Sequence, residues 1–273
     1  MGPRAAVLFD RVRGFGQPLG RRKSGNPFLM APIKLSPSDF AFLWEECKRC
    51  FWRKAVLQES RPFSPMPKIF TAIDLQMKAL FAHRDVRDIV PNAPSMRIHA
   101  QDGWVESSPV ATGRHERTCF VRGIYDCVVA TESGYGIVDY KTSHVRSEHV
   151  PLYQRQLGAY AYALEHPAPR AAALSPIVTA GLIVYEPHRM EPTSQGASLG
   201  GALEWVPMRY DEGEFLAFLT RVLDVVSGPE PASAPGCTYC AYRGRAPEPA
   251  SGSSNLPSAG IGEPRGKTDS SQP

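Results

Sequence analysis

Two Cys-x-x-Cys pairs constrain this chain more than any other feature. Cys47-Lys-Arg-Cys50 stands early and Cys237-Thr-Tyr-Cys240 late in a sequence of 273 residues. Together they offer four thiolates, enough for a tetrahedral zinc ion or a [4Fe–4S] cluster. The span between the pairs is far longer than in a compact zinc ribbon. A shared site would therefore act as a clasp, tying the first helix to the segment after the last. Structural disulfides are the weaker reading, because no apolar signal-type segment opens the sequence and intracellular thiols stay reduced. A redox Cys-x-x-Cys would account for one pair and leave the other unexplained. Cys119 and Cys127 sit in apolar strand contexts and read as buried small hydrophobes.

The clasp brackets a body with enough apolar material for a core: 42% hydrophobic and 21% charged residues. Residues 1–34 are rich in Gly, Pro and Arg, show no sustained period, and read as a disordered basic leader. Met30 is a candidate start of translation within it. Residues 245–273 hold 5 Pro, 4 Gly and 6 Ser, which reads as a flexible tail. The folded body is thus expected over 35–244, a size that suits one domain. No run of apolar residues is long enough to cross a membrane, and the expectation is a cytoplasmic protein.

The net charge of +4 invites a guess of nucleic-acid binding, but its distribution weakens the guess. Seven basic side chains and one acidic fall in residues 1–34; the remainder holds 24 basic against 26 acidic. The excess lies in the leader, and the body is near neutral.

Ser36-Pro37-Ser38-Asp39 is a helix-start signal ahead of an apolar-periodic run from Phe40 to Val56. Residues 68–83 have helical spacing too. From about 97 the pattern turns to strands: Cys119 to Ala130, a turn around Ser133-Gly134, then Ile137 to Thr142. Leu152 to Glu165 reads as a helix, Thr179 to Tyr185 and Leu203 to Arg209 as strands, and Asp211 to Val226 as a closing helix. That order implies a mixed α/β sheet flanked by helices.

The stretch from Gly123 to Tyr160 carries the chemistry. Strand alternation puts Asp139 and Lys141 on one face, with Val138 and Tyr140 on the other. A turn at Ser133-Gly134 would bring Asp126 beside Asp139. On the following helix, Gln156 and Tyr160 are four apart and share a face. Two adjacent carboxylates repel unless a cation sits between them, and hard oxygen donors suit Mg²⁺ or Mn²⁺. Such an ion polarises phosphoryl oxygens and activates water, and a nearby lysine stabilises developing negative charge. These are the needs of phosphodiester hydrolysis.

Gly123-Ile-Tyr-Asp126, Asp139-Tyr-Lys141-Thr and Gln156-Leu-Gly-Ala-Tyr160, in this order, resemble the RecB-like branch of the PD-(D/E)XK nuclease superfamily. The resemblance implies a restriction-endonuclease-like fold, with Asp126, Asp139 and the carbonyl of Tyr140 as ligands for Mg²⁺ or Mn²⁺. Lys141 would assist catalysis, and Gln156 and Tyr160 would organise the site or touch the DNA backbone. It further implies a deoxyribonuclease, with exonuclease action expected, on single-stranded DNA or duplex ends. The setting would be DNA repair, recombination or the processing of phage or mobile-element DNA. The family often carries a metal-binding His in an early helix. Here that helix has Asp74 at its middle and His83 at its end, and either is a candidate substitute.

Iron–sulfur members of the branch place one cysteine before the nuclease core and three after it. The resemblance implies [4Fe–4S] as the cofactor of Cys47, Cys50, Cys237 and Cys240; this chain has two and two, a departure that makes Zn²⁺ the alternative. A rival reading keeps the nuclease fold as a module that binds DNA, or a helicase encoded elsewhere, without cutting. Arg146 and Arg155 flank the site region and could meet phosphates. The chain holds no Walker phosphate loop and no Gly-x-Ser-x-Gly elbow, so neither an ATP-driven motor nor a serine hydrolase is expected from it.

Overall fold

A computed structural model describes residues 31–245 other than 63, 64, 113 and 143. Most of the leader, the candidate start at Met30 and the tail beyond 245 lie outside the described residues. The elements in chain order are β1 (Ile33–Leu35), α1 (Pro37–Glu46), α2 (Lys48–Leu57), α3 (Lys68–Phe81), β2 (Arg97–Glu106), β3 (Cys119–Ala130), β4 (Tyr135–Lys141), α4 (Val150–Glu165), β5 (Ile177–Thr193), β6 (Gly196–Met208), α5 (Glu212–Ser227) and α6 (Thr238–Arg245). This is the mixed six-stranded sheet flanked by helices that the element order implies. None of the described helices is long and apolar enough to cross a membrane.

The first described strand starts at Ile33, ahead of the helix-start signal at Ser36. Ile33 and Leu35 alternate into the core while their strand pairs in parallel with Cys119–Val121. The expected helix over 40–56 is two helices. Cys47 interrupts it with an extended backbone (φ −163°, ψ 109°) and serves as the N-cap of α2. Helix α3 ends at Phe81, which leaves His83 exposed in the turn beyond it.

The path of β3 decides where chemistry can occur. Glu106 pairs with Arg122, the Ser107 amide donates to the Val121 carbonyl (2.8 Å), and Val110 bridges Cys119. One edge of β3 is thus followed by β2 and its continuation. The other edge is shared. β1 takes 119–121 and β4 takes 127–130, in antiparallel register with Cys127 opposite Val138. Between Val121 and Cys127 that edge forks open. The β3–β4 turn is closed by the Thr131 amide donating to the Gly134 carbonyl (2.8 Å), with Gly134 at φ 156°.

Two cores flank the sheet. On one side, Val128, Ile137 and Leu182 pack with α1, α4 and α5. On the other, Cys127, Val138 and Tyr140 pack with Met77 and Phe81 of α3. Aromatic rings lock α1, α2 and α5 together. Phe40 meets Phe218 edge-on at 5.2 Å and Trp44 meets Phe51 at 5.0 Å, each such pair adding about 0.5–1.5 kcal/mol beyond its area. Asp211 caps α5 by accepting from the Glu214 amide at 2.9 Å. Past Tyr185, β5 and β6 run on as an exposed hairpin that the sequence pattern does not announce.

Candidate active site

The fork in β3 gathers the acid–lysine group. Asp126 directs its carboxylate into the gap, where Oδ2 accepts from the Tyr140 amide at 3.0 Å. In a strand, the N–H and C=O of one residue point to the same side. The Tyr140 carbonyl therefore also faces the gap, beyond the last β3–β4 pair. Asp139 is only 3% exposed. Its Oδ1 accepts from Gln156 Nε2 at 3.2 Å, and its Oδ2 forms an ion pair with Lys141 Nζ. That ammonium lies 5.0 Å over the ring of Tyr153. Tyr160 donates its hydroxyl to the Ile124 carbonyl at 2.6 Å, fixing β3 just before Asp126.

Gly123 is required sterically here. A Cβ at this position would lie 2.8 Å from Pro37 Cδ and 3.4 Å from Tyr160 Cε1. The absent side chain lets α1 and α4 close on the strand that carries Asp126.

The electrostatics are unbalanced towards negative charge. Burial, and then the charge of Asp139, push Asp126 up to about 7; the Tyr140 amide, Lys141 and Lys78 only partly offset them. Burial works against the Lys141 cation, yet Asp139 and Asp126 outweigh it and raise its pKa. The groups that face the gap, the Asp126 and Asp139 carboxylates and the Tyr140 carbonyl, are oxygens, and Asp139 Oδ2 is buried with the Lys141 ammonium as its counter-charge. This donor set fits a hard divalent cation.

The structure thus brings together Asp126, Asp139, Lys141, Gln156 and Tyr160. It does not bring His83, which is exposed beyond α3. Asp74 is held by Lys78 at 2.8 Å, and the same ammonium bonds Asp102 at 2.5 Å and acts on Asp126. Lys78 and Tyr153 are the neighbours that the sequence reading passed over. Tyr153 could have been found, since it lies three residues before Gln156 on the same helical face. Arg155 turns away to pair with Glu45, and Arg146 is exposed beside Glu148. Two residues along β3 from Asp126, Ile124 pairs with Trp104 of β2. Trp104 is 58% exposed, and the Arg122 guanidinium lies 5.3 Å from its ring. A cavity of about 310 Å³ opens there, lined by Trp104, Arg122, Pro169 and Arg170 among others.

The cysteine pairs converge as well. Among the described residues, the Sγ atoms of Cys47, Cys50, Cys237 and Cys240 all lie within 4.8 Å of one another, a group that can bind a metal. Burial resists ionisation of Cys47, but the Ala234 and Cys50 amides donate to its sulfur and its pKa falls to about 6. Burial drives the Cys50 thiol up to about 12. Outside the cysteines, Glu230 joins Arg49 (2.6 Å) and Arg53 (2.7 Å), and Arg61 covers the Tyr239 ring at 4.3 Å.

The family model described as the PD-(D/E)XK nuclease superfamily matches residues 36–245, a span that holds the whole fork and all four cysteines. The chain belongs to the PD-(D/E)XK nuclease superfamily. No curated protein sequence matches the chain. Among solved structures, one titled "Crystal structure of SSO0001" is similar over 78% of this chain and 86% of that chain, at 12% identity and a TM-score of 0.44.

Proposed function

We propose that this member of the superfamily is a Mg²⁺- or Mn²⁺-dependent deoxyribonuclease of RecB-like type, acting exonucleolytically on single-stranded DNA or duplex ends. Repair, recombination or mobile-element DNA processing would be its setting. The observation that carries the reading is the crowding of Asp126 and Asp139 in the β3 fork, with Asp126 held to about 7 and Lys141 beside both.

Asp126, Asp139 and the Tyr140 carbonyl would hold a divalent ion, whose chemistry is to polarise the phosphodiester and activate a water. The chain's own side chains do the rest. Lys141 stays cationic between the carboxylates and meets negative charge that builds on the phosphate oxygens. Gln156 fixes the rotamer of Asp139 through Oδ1. Tyr160 holds β3 through the Ile124 carbonyl, two residues before Asp126. Both are buried and already bonded within the fold, which suits positioning roles better than contact with DNA.

The test offers end-labelled single- and double-stranded DNA to the full chain with Mg²⁺ or Mn²⁺. Asp139→Asn and Lys141→Met should each lower cleavage on the order of 10³-fold, with unchanged circular dichroism. Equal cleavage by wild type and variants would overturn the assignment. One observation favours a second reading, a module that binds DNA without cutting. Lys78 of α3 already supplies a cation next to Asp102, Asp74 and Asp126. DNA binding with no metal-dependent cleavage by the wild type would select that reading.

A further inference from the structure

The four cysteines form two matching halves. Cys47 precedes α2 and Cys50 lies in its first turn; Cys237 precedes α6 and Cys240 lies in its first turn. The Phe51 amide donates to the Cys47 carbonyl and the Ala241 amide to the Cys237 carbonyl, both at 3.0 Å. Two helix N-termini therefore point at one cluster of sulfurs, an arrangement that favours a bound anion such as a metal tetrathiolate.

The spacing of the sulfurs distinguishes the possible occupants. Cys47 and Cys240 lie 3.7 Å apart, Cys50 and Cys237 3.7 Å, and Cys50 and Cys240 3.5 Å. A regular tetrahedron with metal–sulfur bonds of about 2.3 Å has sulfur–sulfur edges of roughly 3.8 Å. In a [4Fe–4S] cubane each thiolate binds a different iron at a different corner, and the inorganic core stands between the sulfurs. Sulfurs all within 4.8 Å of one another leave room for one ion and none for that core. The expected iron–sulfur cluster does not fit this arrangement. Charge does not separate the two, since either occupant carries negative charge that Arg49, Arg53 and Arg61 can offset.

We infer that Cys47, Cys50, Cys237 and Cys240 form a closed, mononuclear zinc tetrathiolate whose task is structural. All four positions are filled by protein, so the ion has no open place for a water or substrate. The inference stands on the sulfur geometry alone and is independent of the nuclease reading.

The test is elemental and spectroscopic. Full chain purified anaerobically should be colourless and carry about one zinc, with neither iron nor acid-labile sulfide. Chelated protein titrated with Co²⁺ should show the visible bands of tetrahedral cobalt thiolate, saturate at about one equivalent, and lose them to added Zn²⁺. Cys237→Ser should weaken or abolish those bands. Brown protein with about four irons and matching sulfide per chain would overturn the inference. So would wild-type protein that takes up no Co²⁺, or a Cys237→Ser variant whose cobalt spectrum is unchanged; the wild-type titration decides even if the variant fails to fold.

Discussion

The β3 fork and the cysteine clasp both crowd like groups together, yet they do so in opposite ways. The fork collects hard oxygens from neighbouring strands, keeps Asp126 and Lys141 partly exposed, and leaves Asp126 holding its proton up to about 7. The clasp collects soft sulfurs from opposite ends of the body and buries three of the four cysteines. A site left short of positive charge can exchange ions and meet a substrate; a site whose ligands all come from protein can only hold the chain together. The difference implies separable failures, with chemistry lost at one site and stability at the other.

The largest expected effect on stability lies at the clasp. Cys47 and Cys240 are 193 residues apart. Closing a loop of that length removes roughly 5 kcal/mol of chain entropy from the unfolded state. At ~2–4 °C per kcal/mol for a body of this size, Cys240→Ser or metal removal should lower the thermal midpoint by roughly 10–20 °C. Lys141→Met should leave the midpoint within a few degrees while cleavage collapses. A Cys240→Ser protein that melts like wild type would end the distinction between the two sites.

A second measurement uses pH. Asp126 is raised from 3.8 to about 7, so its bound proton stabilises the fold fully below the ordinary carboxylate range. That contribution is lost as pH rises through about 7. Without a divalent ion, the thermal midpoint should therefore fall between pH 4 and pH 7.5. Mn²⁺ replaces the proton as the counter-charge, so its stabilising effect should grow over the same interval. In Asp126→Asn both trends should flatten, which separates them from the titration of the histidines. A wild-type midpoint that ignores pH and Mn²⁺ alike would mean the carboxylates are not competing for a cation.

The two sites were not equally legible in the sequence. The fork could be read because its parts are local. Asp139 and Lys141 share a strand face by alternation, Asp126 reaches them through one tight turn, and Gln156 and Tyr160 are one helical turn apart. Its edges were less visible. Lys78 was missed because nothing in α3 marks which face meets the sheet, and His83 was a candidate only because the expected helix ran two residues too far. The break at Cys47 was invisible because the apolar period continues through it; only the convergence with Cys240 gives that residue a reason to leave the helix. The outer β5–β6 hairpin was unreadable for a related reason. Both of its faces meet solvent, so it carries no alternating pattern, and Pro187 and Pro192 look like loop residues.

The smallest expected effect concerns how DNA would approach the fork. Trp104 and Ile124 form an exposed apolar step two residues from Asp126, with Arg122 over the indole and Arg170 across the cavity. An unpaired base could stack on the indole while the arginines face its phosphates. A duplex keeps its bases stacked on each other and gains nothing from such a step. Losing one stacking contact costs about 1–3 kcal/mol, so Trp104→Ala should weaken single-stranded binding roughly 5- to 100-fold while duplex binding changes little. Fluorescence anisotropy with a short labelled oligonucleotide, in Ca²⁺ or without divalent ions to suppress cutting, measures both. The thermal midpoint should not move, because the ring is mostly in solvent. Equal weakening for both DNA forms would make Trp104 a general contact and confine strand preference to the fork itself.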